Sequence, residues 1–155
     1  MTKTNKQIML SMLTGLALAG SATVQAQVKP EDAIKYRQSV YTVMGWNFGP
    51  LAAMAKGERP YDKDAAARHA GIVEFMSKLP LEGFIPGSDK GNTRAKPEIW
   101  EKMDDFKAKL EKMQAEVAKL NTAAKSGDFN TFKAQLGETG KACKACHDQY
   151  SAKPQ

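Results

Sequence analysis

From residue 30 onward the apolar positions of the chain recur in steps of three and four, the period of an amphipathic helix. Strict alternation of β-branched residues is missing, and no Asn-Gly or Asp-Gly turn separates such runs, so strands are not predicted. Four helices account for the pattern. The first starts at Pro30, with Glu31 and Asp32 in its positive N-terminal turn, and closes at Lys56-Gly57, where glycine suits the C-terminal cap. Its apolar stripe reads Ile34, Tyr41, Phe48, with Met44 and Leu51 beside it, and Gly49-Pro50 is expected to kink it or end its regular part. Arg37 and Gln38 lie about one turn before Tyr41, a spacing that an exposed flank satisfies equally well.

The second helix follows Pro60, with Asp62 as N-cap, the stripe Ala65, His69, Ile72, Met76, Leu79, and an end at Leu79-Pro80. His69 has no metal-binding companion nearby and reads as a packed or boundary histidine. Residues 80–96 form a connection too long for a tight turn, which Phe84 and Ile85 would pin to the core. The third helix opens at Pro97 and carries the seam Ile99, Met103, Phe106, Leu110, Met113, Val117, Leu120, Ala124 before Ser126-Gly127 stops it. Asp128 caps the fourth, whose face holds Phe129, Leu136, Cys143 and Tyr150 at intervals of seven, with Phe132 and His147 on the same side.

The N-terminus departs from this pattern. Lys3 and Lys6 precede an apolar run from Ile8 to Gly20 that is too short to span a bilayer, and Val24-Gln25-Ala26 offers small residues before a cut. Residues 1–26 are therefore read as a cleaved signal peptide, leaving 27–155 as one exported domain with no membrane span. The net charge is +6, falling to +4 without the two leader lysines, and the charges are mixed along the chain. No basic run interleaved with aromatics is present, which argues against nucleic acid. The mild excess of positive charge suits solubility or an acidic redox partner.

The chemistry is concentrated in Cys143-Lys144-Ala145-Cys146-His147, a C-x-x-C-H attachment signature for haem c, in which two thiols add across the haem vinyl groups and the adjacent imidazole reaches the iron. A redox dithiol, half a zinc site and a disulfide are the competing readings. The dithiol lacks a βαβ context, zinc would need two further ligands with only His69 left over, and cysteines three apart on a helix are poorly placed to form a relaxed disulfide. No methionine follows His147, so a sixth ligand would come from Met44, Met54, Met76, Met103, Met113, His69 or a lysine.

With its haem motif at the end of a fourth helix, the chain resembles the cytochrome c′ family, the class II c-type cytochromes. The resemblance covers residues 28–150 and rests on Tyr36-Arg37-Gln38 through Met44, Asn47-Phe48-Gly49 with Lys56-Gly57, Lys96-Pro97-Glu98-Ile99-Trp100, and Gly140 through His147. It implies an all-α antiparallel four-helix bundle of up-down-up-down topology, for which this family is a standard example. It further implies one haem attached through Cys143 and Cys146, with His147 as proximal ligand and no sixth ligand. Tyr41 would stand at the distal position where low-spin relatives carry a ligating methionine, and Arg37 and Gln38 would approach the propionates. Many members place an arginine or lysine four residues after the proximal histidine; here that residue is Ser151.

The function expected from this resemblance is a periplasmic haem protein, not an enzyme, that transfers electrons with a five-coordinate high-spin iron and binds NO or CO at the distal face. A homodimer through the first two helices and a small redox partner protein are also expected. The alternative is a low-spin electron-transfer cytochrome ligated by Met44 or another upstream methionine. A peroxidase would need a distal histidine with an arginine partner, and a purely structural bundle would leave C-x-x-C-H unexplained.

Overall fold

The computed structural model describes residues 28–153; the leader read in residues 1–26 lies outside them. Helix α1 runs Pro30–Lys56 and is closed by Gly57 in the left-handed region (φ 78°), where the Glu58 N–H reaches back to Ala53 O. Its buried seam is Ala33, Arg37, Val40, Met44, Asn47, Leu51, Met54, in alternating steps of four and three. The seam thus contains an arginine and an asparagine. Tyr41 and Phe48, expected at its centre, are half-buried on its flank. The exposed flank considered for Arg37 is corrected: its relative exposure is 2 %. Of the two outcomes expected at Gly49-Pro50, an end to the helix is corrected, since the helix continues through Pro50. Beyond the proline, Leu51 and Met54 are fully packed, and that burial offsets a cost of about 3 kcal/mol for proline inside a helix.

Helix α2, Lys63–Ser77, is capped by Asp62, whose side chain accepts from the Ala65 N–H at 2.9 Å. Its buried line is Ala66, His69, Ala70, Val73, Ser77, so the predicted stripe was off by about one residue. Ala65, Ile72, Met76 and Leu79 are half-buried beside it. Two alanines with no accessible surface leave room for α2 to lie close to α1 and α4, which an apolarity count undervalues.

The connection folds as a 3-10 turn at Pro80–Gly83, an irregular stretch, and a single turn α3, Glu98–Glu101. The third predicted helix is therefore broken: Lys102 (φ −126°, ψ 45°) separates α3 from α4, Met103–Ser126. The break serves anchoring. Trp100 Nε1–H donates to Ile85 O at 3.0 Å, and Ile99 is buried at 1 % beside Phe84 and Phe106. Along α4 the predicted seam holds, with Phe106, Leu110, Met113, Val117, Leu120 and Ala124 all buried. Helix α5, Phe129–Tyr150, is capped by Asp128, which accepts from the Thr131 N–H at 2.6 Å.

The four long helices form the antiparallel up-down-up-down bundle: α1 packs on α2, α2 on α4, α4 on α5, and α5 closes on α1. Leu51, Met54, Ala66, Leu120 and Phe132 fill one end. Val40, Met44, Leu110 and Met113 fill the middle, and Phe84, Ile99, Phe106 and Tyr150 the other end. Among the described residues no helix is long and apolar enough to cross a membrane.

Candidate haem site

Cys143, Cys146 and His147 lie in the last two turns of α5, at i, i+3 and i+4, and so share one face. All three line a cavity of about 650 Å³ between the middle and end clusters of the core. Helix α1 contributes Tyr41, Met44 and Phe48 to its wall, and α4 contributes Phe106, Leu110 and Met113. The size and the apolar lining suit a large flat ligand. Burial pushes both thiols above the usual cysteine range, so neither is an activated nucleophile of the redox-dithiol kind. Burial and then Arg94 hold the His147 imidazole below its ordinary value, which favours the neutral ring a metal requires. Burial also raises the Tyr41 phenol, which stays neutral beside the cavity.

Arg37 is the second feature that suits haem. Its Nη1 donates to Gly83 O (2.6 Å) and Ser88 Oγ (2.8 Å). Its Nη2 donates to Ser88 O (2.6 Å) and Thr93 Oγ1 (2.9 Å). The guanidinium also stacks over Phe84, 4.6 Å from the ring centroid. Among the described residues it makes no ion pair with a carboxylate, so a buried cation in the cavity wall lacks an anion. A haem propionate is an anion of the required kind, and the Nε–H is the donor not engaged with protein. Gly83 is obligatory to this clamp: a Cβ there would stand 2.8 Å from both Ala33 O and Arg37 Cβ. Gln38, exposed at the rim, donates from Nε2 to Asn92 O at 2.8 Å.

His69 is elsewhere. Its Nδ1–H donates to Asn47 Oδ1 (2.9 Å) and its Nε2 accepts from Arg68 Nη2 (3.0 Å). This is the packed histidine expected from the sequence, kept neutral by burial first and by Arg68 and Arg59 next. Among the described residues no three His, Cys, Asp or Glu side chains converge, so a zinc site has no further ligands to draw on. Two features were missed from the sequence. The Asn47–His69 pair was legible in the four-three register of α1, had polar residues been allowed into the seam. Arg94, on the cavity rim beside His147 and Ser151, lies in a connection with no periodicity to read.

The family model described as Cytochrome C' matches residues 32–151. The chain belongs to the cytochrome c′ family. Cytochrome c′ of Rubrivivax gelatinosus is 51% identical over 126 residues, which are 81% of this chain and 98% of that protein. The solved structure of cytochrome c prime from Shewanella frigidimarina has a TM-score of 0.79 at 44% identity, covering 82% of this chain and 99% of the other. A nitric oxide complex of a point mutant of cytochrome c prime from Alcaligenes xylosoxidans has a TM-score of 0.76 at 41% identity, covering 83% and 99%. The cofactor of this cytochrome c′ is haem c, and Cys143 and Cys146 within C-x-x-C-H are consistent with its covalent attachment.

Proposed function

We propose that this cytochrome c′ is an exported, periplasmic electron carrier, not an enzyme. Its haem would be held by Cys143, Cys146 and His147 on one side and remain open beneath Tyr41 to NO and CO on the other. The haem supplies a one-electron couple and a coordination position for a diatomic gas. The observation that supports the reading is Tyr41, which lines the cavity from α1, where the family resemblance puts the distal residue that a ligating methionine occupies in low-spin relatives. A neutral, half-buried phenol there fills space and excludes water and anions without supplying a charged ligand. Arg37 and Gln38 at the same end would orient the propionates. Apart from His147 the cavity wall contains no histidine, so the distal acid–base pair of a peroxidase has no candidate. Absorption spectra of the purified holoprotein in both oxidation states, with and without NO, test this. A ferrous low-spin spectrum with no response to NO would overturn it.

Replacing Tyr41 by Ala is expected to raise CO affinity at least about tenfold, some 1.4 kcal/mol, by removing the side chain that must move aside. Tyr41→Phe is expected to change it little; CO titrations of both decide whether bulk or the hydroxyl controls access. The competing low-spin reading has one observation in its favour: Met44, 9% exposed, lines the same cavity. Loss of a sulfur-to-iron charge-transfer band in Met44→Ala would favour it.

The homodimer through the first two helices is part of the same proposal. Leu51, Met54 and Ala66 on the first two helices are at most 1 % exposed and belong to the core of one chain, so they offer nothing to a partner. Trp46 is 81% exposed, and the other exposed large apolar residues within helices, Tyr36, Val43 and Phe75, also lie on α1 and α2. Trp46→Glu is expected to convert the dimer to a monomer in sedimentation at micromolar concentration; an unchanged sedimentation coefficient would exclude this face. A small acidic redox protein is the expected electron partner.

A further inference from the structure

We propose that Arg94 supplies a positive charge that tunes the haem from the His147 side, where the residue after α5, Ser151, is uncharged. The inference rests on His147 being the proximal ligand. Arg94 is distant from His147 in sequence and is brought to it by a short antiparallel ladder. Ala95 bridges to Ser151, the Lys96 N–H donates to Tyr150 O at 3.0 Å, and the Ala152 N–H donates to Arg94 O at 2.8 Å. The guanidinium then folds back on the same bridge: Arg94 Nε–H donates to Ala152 O at 2.8 Å. An exposed arginine ordinarily samples many rotamers. Here its own backbone and side chain are both tied to the residues that follow the ligand.

The surrounding charges leave this one uncompensated. Asp148, the acid next to His147, is engaged by Lys144 at 2.6 and 2.8 Å. Lys96 Nζ is turned toward the carbonyls at the end of α5, donating to Gln149 O at 3.0 Å. Arg94 makes no ion pair among the described residues, and it shares the cavity rim with His147 and Ser151. A fixed cation beside the imidazole weakens it as an electron donor and disfavours the more positive ferric state. At a separation of about 4–8 Å, screened as in water, a unit charge biases such an equilibrium about two- to sixfold.

The test is a spectroelectrochemical titration of the exported holoprotein. Arg94→Gln is expected to lower the ferrous-to-ferric ratio at a fixed ambient potential about two- to sixfold, and Arg94→Lys to restore most of it. The double variant Arg94→Gln with Ser151→Arg, which returns a cation from the other side of the ladder, should restore it also. The difference should shrink in 1 M salt, where the screening length is about 3 Å. A purely structural Arg94 would loosen the C-terminal residues in hydrogen exchange yet leave the potential unchanged in Arg94→Gln; that result overturns the proposal. Covalent haem is checked on denaturing gels throughout: stained variants with unaltered potential overturn the role of Arg94 alone, whereas an unstained wild type overturns the haem reading with it.

Discussion

Protein with Cys143 and Cys146 both replaced by alanine is expected to lose covalent haem completely and, with it, the cooperative fold. The attachment chemistry requires two thiols, and these are the only cysteines in the chain. The structural consequence follows from the size of the cavity. Without a plate of haem between them, Tyr41, Met44, Phe106, Leu110 and Met113 line about 650 Å³. Leaving these apolar walls to water in place of a packed ring costs on the order of 5 kcal/mol. That is comparable to the whole stability of a domain, about 5–15 kcal/mol. The expected apoprotein keeps helical far-UV dichroism, loses near-UV dichroism and melts without a sharp transition. Haem staining and thermal melts of the purified chain check this. A stain-negative variant that unfolds as sharply as the wild type would show that the bundle closes over the cavity unaided.

Arg37→Ala is expected to destabilise the holoprotein by about 3–5 kcal/mol. The truncation leaves Gly83 O, Ser88 O and Thr93 Oγ1 without the guanidinium that holds them. It also removes the stacking over Phe84 and Trp100. The individual bonds are not additive, which is why the expectation is well below four full charge-assisted bonds. Arg37→Lys is expected to recover less than half of the loss, because three donors on one nitrogen cannot reproduce the fork that spans Ser88 and Thr93. Urea unfolding measures the loss, and hydrogen exchange over residues 83–93 locates it. The neighbouring Gln38→Ala, at an exposed rim position, should cost less than about 0.5 kcal/mol. A loss under 1 kcal/mol for Arg37→Ala would mean that the connection holds its own shape.

Much of the architecture was legible because its causes are local. Asp62 and Asp128 cap, and Gly57 and Gly127 terminate, through contacts within one turn, and each does so where the chain pattern predicts. The seam of α4 was readable because every position in it is apolar. The seams of α1 and α2 were less so. Arg37, Asn47, His69 and Ser77 occupy buried positions that a hydrophobicity count assigns to solvent, and they are tolerated because each finds a hydrogen-bond partner. The break at Lys102 was invisible for a related reason, since it depends on where Trp100 finds a carbonyl in another segment.

The four long helices, the cofactor and the point of its attachment follow from local sequence pattern. Covalent chemistry needs only Cys143, Cys146 and His147 on one helical face, and five consecutive residues suffice to place them there. Tertiary structure alone decided which charges surround that attachment. Arg37 is buried against Gly83 and Ser88, and Arg94 is laid beside the residues after His147. Both placements depend on the course of the connection between α2 and α4, which has no period of its own and is held by contacts distant in the chain. Electrostatic effects depend on distance in space, and for these two arginines that distance is set only when the connection closes over the end of the bundle.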